Sequence, residues 1–327
     1  MQDGWERRHA HIELNHEAIR ALLEPAFPGC AVVAAEPLSG GLANTNYRVT
    51  LAGRDEPVVL RLYTRDETAC AREAALARLV AGRVPVAEVL YANPAGAVDG
   101  QPYAVLRWVE GVKLERLLAE GDVAGVGGMG RAVGTTLAAI HSFAFPRSGN
   151  LGPDLAVTES LGTPREMTEG HVGELLRKPL VRERLGGDLT TRVEALLRDQ
   201  ADTLDAIAEP MTLVQADYKA QNLLLRHDPD GGWRMAAVLD WEFAHAGTPL
   251  LDLGILLRYR HTLPPDFTHG VIAGYAEAGG FLPAEWPRLT RLLDLLSLAE
   301  FLAWPDANAR MVADMRALAE RTLEELT

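Results

Sequence analysis

The chain changes its apolar periodicity once, and that change bounds the folds open to it. Before about residue 108 the apolar residues come in short strand-like runs: Ala31 to Ala35, Tyr47 to Leu51, Val58 to Tyr63, Val86 to Tyr91 and Tyr103 to Trp108. Ser39-Gly40-Gly41, Gly53-Arg54-Asp55 and Asn93-Pro94-Ala95-Gly96 separate runs with turn chemistry. One helical stretch, about Glu67 to Val80, interrupts them and is stopped by Gly82 and Pro85. A further helix is expected from Glu13 to Leu23. These elements predict a small antiparallel sheet with a helix inserted after its third strand.

After Glu110-Gly111 the spacing is helical. Helices are expected over Leu114–Ala119, Gly130–Ser142, Arg165–Leu176, Thr191–Ile207 and His269–Ala278, and in pieces from Trp286 to Thr327. Thr191-Arg192-Val193-Glu194 is a capping-box pattern, so the helix there should start at Thr191. One β region interrupts the helices: Met211–Val214, Leu223–Arg226 and Arg234–Leu239 read as short strands. The fold class is therefore α+β, with a β-rich lobe over 1–110 and a helical lobe over 111–327.

The β region of the second half carries the chemistry. Asp217 and Asn222 stand five residues apart at the end of one strand and the start of the next, and Asp240 ends the third. Antiparallel pairing of these strands would bring all three to one edge. An Asp that accepts a hydroxyl proton, with an Asn and a second Asp holding Mg²⁺, is a phosphoryl-transfer arrangement. Oxygen ligands suit a hard cation. Lys219 stands where it would neutralise charge on the transferred phosphate.

Gln215-Ala216-Asp217 through Asn222, then Leu239-Asp240-Trp241-Glu242, then Asp252-Leu253 resemble the aminoglycoside phosphotransferase-like family, which includes choline and homoserine kinases. Upstream stretches resemble it in the same order, from about residue 30 to 257. Leu38 to Val49, with Ser39, Gly40, Gly41 and Asn44, is similar to the hairpin that covers the nucleotide. Val58-Val59-Leu60-Arg61-Leu62 is similar to the strand bearing a phosphate-binding cation, here Arg61. Arg72-Glu73-Ala74 is similar to the helix whose Glu, here Glu73, pairs with that cation. Val105 to Gly111 is similar to the interlobe hinge. The resemblance implies a protein-kinase-like two-lobed fold, ATP and Mg²⁺ as cofactors, and adenine contacts from the backbones of Arg107 and Val109. It implies Asp217 and Lys219 as catalytic residues, with Asn222 and Asp240 as metal ligands. The acceptor would be a hydroxyl of a small molecule: an aminoglycoside, an amino alcohol, homoserine or a sugar-like compound. Neither Asp-Phe-Gly nor Ala-Pro-Glu, which mark protein kinases, occurs.

Gln215 stands where the family usually has His. A Gln both donates and accepts hydrogen bonds, so it can serve a loop as His does. The substitution also motivates a second reading, a nucleotide-binding pseudokinase with a regulatory role.

Other features are weighed against this reading. Gly125-Val126-Gly127-Gly128-Met129-Gly130 fits G-x-G-x-x-G, but neither a preceding strand nor a following βαβ unit accompanies it, so a flexible helix–helix linker is expected. His9, His11 and His16 lack metal-site spacing and read as solvated. His141, next to an apolar helix face, reads as a packed, hydrogen-bonded core histidine, and His245 as structural. Cys30 and Cys70 are too few for a disulfide framework and read as small buried hydrophobes. The net charge of −13 argues against a nucleic-acid partner. No signal-peptide core or membrane span is evident, so a cytoplasmic location is expected.

Overall fold

The computed structural model describes residues 11–326 apart from 39–43, 65, 99, 122–124 and 208–209. Helix α1 (His16–Leu23) is capped by Asn15, whose Oδ1 accepts the Ala18 N–H at 2.9 Å. Strands β1 (Val32–Pro37), β2 (Thr45–Leu51) and β3 (Val58–Leu62) follow, then α2 (Ala69–Val80), β4 (Val89–Val98) and β5 (Gln101–Arg107). They form one five-stranded antiparallel sheet in the order β1-β2-β3-β5-β4. Tyr47, Val49 and Leu51 alternate with half-buried neighbours along β2 and pack with Ile19, Leu22 and Leu23 of α1. Tyr63, Ala69, Cys70 and Ala104 form a separate small core where α2 meets the sheet.

The turn expected at Asn93-Pro94-Ala95-Gly96 is instead part of β4. The chain reverses further on, where Val98 pairs with Gln101. Gly96 has a positive φ, which glycine adopts freely, and it lets the strands stay close. A Cβ there would lie 2.3 Å from the Gly100 carbonyl carbon.

Strand β6 (Val112–Lys113) and helices α3 (Leu114–Glu120) and α4 (Val126–His141) open the helical part. β7 (Gly149–Asn150) precedes a π-helical stretch, Glu166–Val172, that runs into α5 (Gly173–Arg177). The helices α6 (Pro179–Leu185), α7 (Gly187–Asp199) and α8 (Ala201–Asp205) lead to β8 (Thr212–Val214), β9 (Leu223–His227), β10 (Trp233–Val238) and β11 (His245–Gly247). The last helices are α9 (Leu250–Leu256), α10 (Pro265–Glu277), α11 (Trp286–Ala303) and α12 (Ala309–Leu326). Two three-stranded sheets, β10-β9-β6 and β7-β11-β8, lie among these helices over one large apolar core. Among the described residues, no helix is long and apolar enough to cross a membrane.

Two expectations fail for instructive reasons. The capping box at Thr191 is not used: α7 starts at Gly187, and the Thr191 hydroxyl donates back to the Gly187 carbonyl at 3.0 Å. The Gly125–Gly130 segment is no flexible linker, because α4 begins at Val126. Gly127 and Gly130 face α10. A Cβ at Gly130 would lie 2.2 Å from the Phe267 carbonyl oxygen, and one at Gly134 2.0 Å from that of Val271. Gly270 and Gly274 return the contact against Gly127 and Arg131. The glycines allow two helices to touch backbone to backbone, so what looked like a nucleotide fingerprint is a packing stripe.

Candidate active site

Register builds the site. β9 and β10 pair antiparallel with Val238 opposite Leu223, and the Leu239 N–H donates to the Asn222 carbonyl at 2.8 Å. That pairing sets Asp240, next along the chain, beside Asn222. β8 ends at Val214 and feeds the tight 215–222 loop, where the Lys219 N–H donates to the Asp217 carbonyl and the Asn222 N–H to that of Lys219. Asp217 Oδ1 lies 2.8 Å from Lys219 Nζ, and its Oδ2 accepts from Asn222 Nδ2 at 2.7 Å. Burial pushes the Asp217 carboxyl above the usual range, Asp240 adds to this, and Lys219 and Asn222 oppose it.

The loop is held from below. The fully buried Asp252 carboxylate, on α9, accepts the N–H groups of Gln215 (2.8 Å) and Ala216 (2.7 Å) and approaches His141 Nε2 at 3.1 Å. His141 in turn meets the Tyr275 hydroxyl at 2.8 Å, so it is the hydrogen-bonded core histidine expected. Gln215 Nε2 donates to the carbonyls of Leu239 (3.1 Å) and Asp240 (2.5 Å), while its Oε1 accepts the Asp217 N–H at 2.8 Å. One amide thus ties the Asp217 loop to the Asp240 loop. Ala216 (φ 64°) and Asp240 (φ 60°) both sit in the left-handed region. Such ties stabilise a strained backbone. His245 is buried and its Nδ1 meets the Phe243 carbonyl, as a structural residue would.

The first half of the chain closes the other side. Arg61 on β3 is 8% exposed, so it is no surface ion pair. Its Nη2 lies 3.0 Å from Glu73 Oε1 and 2.6 Å from Asp240 Oδ1, joining the five-stranded sheet to the loop after β10. Tyr63 completes the cluster: its hydroxyl donates to Glu73 Oε2 at 2.8 Å, and its ring lies 5.2 Å from the Arg61 guanidinium. Burial raises the Glu73 carboxyl, with Arg61 opposing. Arg61 Nε is buried and has no partner among the described residues. Asn44 Nδ2 donates to Glu242 Oε2 at 3.0 Å, and Asn44 Oδ1 accepts the Thr64 N–H. Burial, then the Asp240 charge, raises the Glu242 carboxyl to about 7.

Asp217, Lys219, Asn222, Asp240, Arg61, Glu73 and Asn44 are therefore brought together. Ser39, Gly40 and Gly41 lie outside the described residues. At the hinge the Arg107 N–H is taken by the Glu88 carbonyl, and its side chain is exposed and paired with Glu88 and Glu56. Val109 is half-buried, and its backbone has no hydrogen bond among the described residues. Gly111 packs the hinge on β9 and β10, where a Cβ would lie 3.1 Å from the Leu225 carbonyl oxygen. Sequence reasoning missed Tyr63, the reach of Arg72, and the links by which Asp252 and His141, both singled out, join Tyr275 and the 215–216 backbone. The signal for Tyr63 was a Tyr two residues after the strand cation; the others depend on tertiary contacts alone.

The donor set fits a hard cation next to phosphate. Asn222 turns its Nδ2 toward Asp217, which leaves its Oδ1 as a ligand, and Asp240 contributes a carboxylate. One carboxylate and one amide form too small a set for an all-protein cage, but they suit Mg²⁺ shared with phosphate oxygens and water. The unpartnered Arg61 Nε is a donor suited to a phosphate oxygen.

The chain is similar to known phosphotransferases. The family model described as phosphotransferase enzyme family matches residues 34–292. Among solved structures, a thermostable mutant of aminoglycoside phosphotransferase APH(4)-Ia, in a ternary complex with AMP-PNP and hygromycin B, is 19% identical. It superposes with a TM-score of 0.68 over 94% of this chain and 97% of that one. The GDP complex of aminoglycoside 2'-phosphotransferase-IIIa is 17% identical, with a TM-score of 0.67 over 95% and 99%. A putative aminoglycoside phosphotransferase from Ralstonia eutropha is 19% identical, with a TM-score of 0.65 over 95% and 98%. No curated protein sequence matches. These likenesses bear out the kinase-like two-lobed α+β fold. With the family model matched over residues 34–292, well over half of the chain, the chain belongs to the phosphotransferase enzyme family.

Proposed function

We propose that the protein transfers the γ-phosphate of ATP, with Mg²⁺, to a hydroxyl of a small molecule. The observation that carries this reading is the single cleft edge formed by Asp217, Asn222, Asp240 and Arg61, with an Arg61 donor left over. The nucleotide-bound and aminoglycoside-bound states of the similar structures support it.

In this reading residues 1–110 bind the nucleotide and 111–327 carry the catalytic loop and the acceptor pocket. The Val109 backbone and the Arg107 carbonyl face the adenine edge. Arg61, braced by Glu73, holds phosphate oxygens, and Ser39, Gly40, Gly41 and Asn44 belong to the segment covering them. Asn222 and Asp240 would hold Mg²⁺, which when bound neutralises charge on the phosphates. Asp217 orients the acceptor hydroxyl and takes its proton; burial raises its basicity toward the working range. Lys219 neutralises charge beside it. The acceptor belongs among aminoglycosides, amino alcohols, homoserine or sugar-like alcohols.

The Gln215 bonds bear on the pseudokinase reading. The amide makes three bonds that keep the Asp217 and Asp240 loops together, so the substitution gives no structural reason for lost turnover. The test is ADP release with Mg-ATP over a panel of those acceptors. Turnover is expected, and Asp217→Asn should lower kcat by about 10² to 10⁴. Nucleotide binding without turnover on any acceptor would favour the pseudokinase. Failure to bind Mg-nucleotide would overturn both readings.

A further inference from the structure

Helix α2 presents two adjacent charged side chains to the cleft, and only one is explained by the chemistry above. Glu73 braces Arg61. Its neighbour Arg72 crosses to the other lobe: Nη2 donates to the main-chain carbonyl of Glu242 at 2.8 Å and to Asp66 Oδ2 at 2.9 Å, and Nη1 donates to Thr68 Oγ1 at 3.2 Å. The Arg72 side chain is only 12% exposed. That is far below an ordinary surface arginine. Asp66 is fixed as its partner: burial pushes that carboxyl up, but hydrogen bonds from Thr68 and Arg72 bring it below the usual range.

We propose that Arg72 is a positioning residue that holds the 240–242 loop at the distance from α2 at which Asp240 and Arg61 can serve one metal–phosphate group. The inference rests on the nucleotide reading above. Asp240 is a non-glycine residue in the left-handed region. That conformation is sparsely populated and persists only with support from its neighbours. The support is asymmetric. Gln215 holds the Asp240 carbonyl from the catalytic-loop side. On the sheet side, Arg72 holds the backbone and Asn44 the side chain of Glu242, two residues on. Because Glu73 and Arg72 are consecutive on one helix, α2 sets the cation and the metal loop against each other as a rigid spacer. Without Arg72, Glu242 keeps only its side-chain tie, and the loop is free to drift from Asn222.

Calorimetric titration of ADP into the wild-type chain and Arg72→Met, each with MgCl₂ and with EDTA, tests this. Loss of a group that orients a metal ligand typically weakens metal-dependent binding about 10- to 100-fold. The variant should show a loss in that range with Mg²⁺ and less than a twofold change with EDTA. Thermal melts should confirm that it is folded. If Arg72→Met does not fold, Arg72→Lys keeps the charge but reaches Asp66 and the Glu242 carbonyl less well, and should show a smaller loss of the same metal-dependent kind. Equal affinities with Mg²⁺ would overturn the proposal. So would a loss of equal size with and without Mg²⁺, which would make Arg72 a general strut between lobes. A wild-type chain that binds no ADP under either condition would instead overturn the nucleotide reading itself, and this inference with it.

Discussion

Arg258 in the helical lobe and Arg61 in the cleft are both buried against carboxylates, and they are built to opposite rules. Arg258 uses its fork fully: Nε lies 2.9 and 3.0 Å from the two Asp294 oxygens, Nη2 lies 2.6 Å from Oδ1, and both side chains are 4% exposed. Arg61 spends one nitrogen on two carboxylates and leaves Nε buried without a partner. One acid it meets, Asp240, sits on a strained backbone with its side chain 28% exposed. The saturated pair is structural, because the hydrogen bonds lost to water are replaced within the pair. The unsaturated pair keeps donors in reserve, and a buried donor with nothing to bind is costly unless a ligand supplies the acceptor. Between these two arginines, the one in the cleft is set apart by the buried donor it leaves unpaired.

The comparison can be broken most sharply at Arg258. Arg258→Met strands Asp294 in an apolar core and should cost about 3–5 kcal/mol in denaturant unfolding. Arg61→Met should cost less than half as much. Burial already pushes the Glu73 carboxyl up, so Glu73 takes a proton and keeps its Tyr63 bond, while Asp240 reaches solvent. The same variant should lose at least about tenfold in Mg-ADP affinity, or about 1.4 kcal/mol, and Arg258→Met should lose none once folded. Equal stability losses with equal affinities would abolish the distinction.

Tyr63→Phe sharpens it further. The ring stays under Arg61 but Glu73 loses a hydrogen bond, so about 1 kcal/mol of stability should go, with a raised KM for the nucleotide and little change in kcat. The smallest effect concerns His245, a buried base with one carbonyl partner and no acid bonded to it. Burial lowers its pKa below the ordinary 6.5. The unfolded chain therefore takes up the proton first as pH falls. The stability contributed is complete above about 6.5 and declines below it. His245→Gln should flatten that part of the stability profile between about pH 7 and 5, and an unchanged profile would show that the ring titrates alike in the folded and unfolded chain.

Much of the architecture was legible because it is written in local patterns. Alternation along Tyr47–Leu51, the short apolar run at Val58–Leu62, the apolar stripe of α1, and the order of short strands around Asp217, Asn222 and Asp240 all follow from period and turn chemistry. What was not legible depends on partners far along the chain. Glycines at 127 and 130 fit a phosphate-loop pattern and read as a linker until α10 arrives opposite them. Thr191-Arg192-Val193-Glu194 reads as a helix start until α7 begins a turn earlier. Arg72 has no assigned role in the sequence until the Glu242 carbonyl reaches it.

The order of motifs, through its resemblance to a known family, pointed to a two-lobed phosphotransferase, since residue type, spacing and strand pattern are properties of the chain alone. Only the tertiary structure decided how the site is held. It turned Gln215 from a doubtful substitution into the tie between two loops, made one Arg61 nitrogen serve both Glu73 and Asp240, and set Arg72 on the loop beyond. Hydrogen bonds and buried charges act over about 3 Å. Gln215 and Asp240, Arg72 and Glu242, and Arg61 and Asp240 are far apart along the chain, and that separation carries no information about which groups come so close.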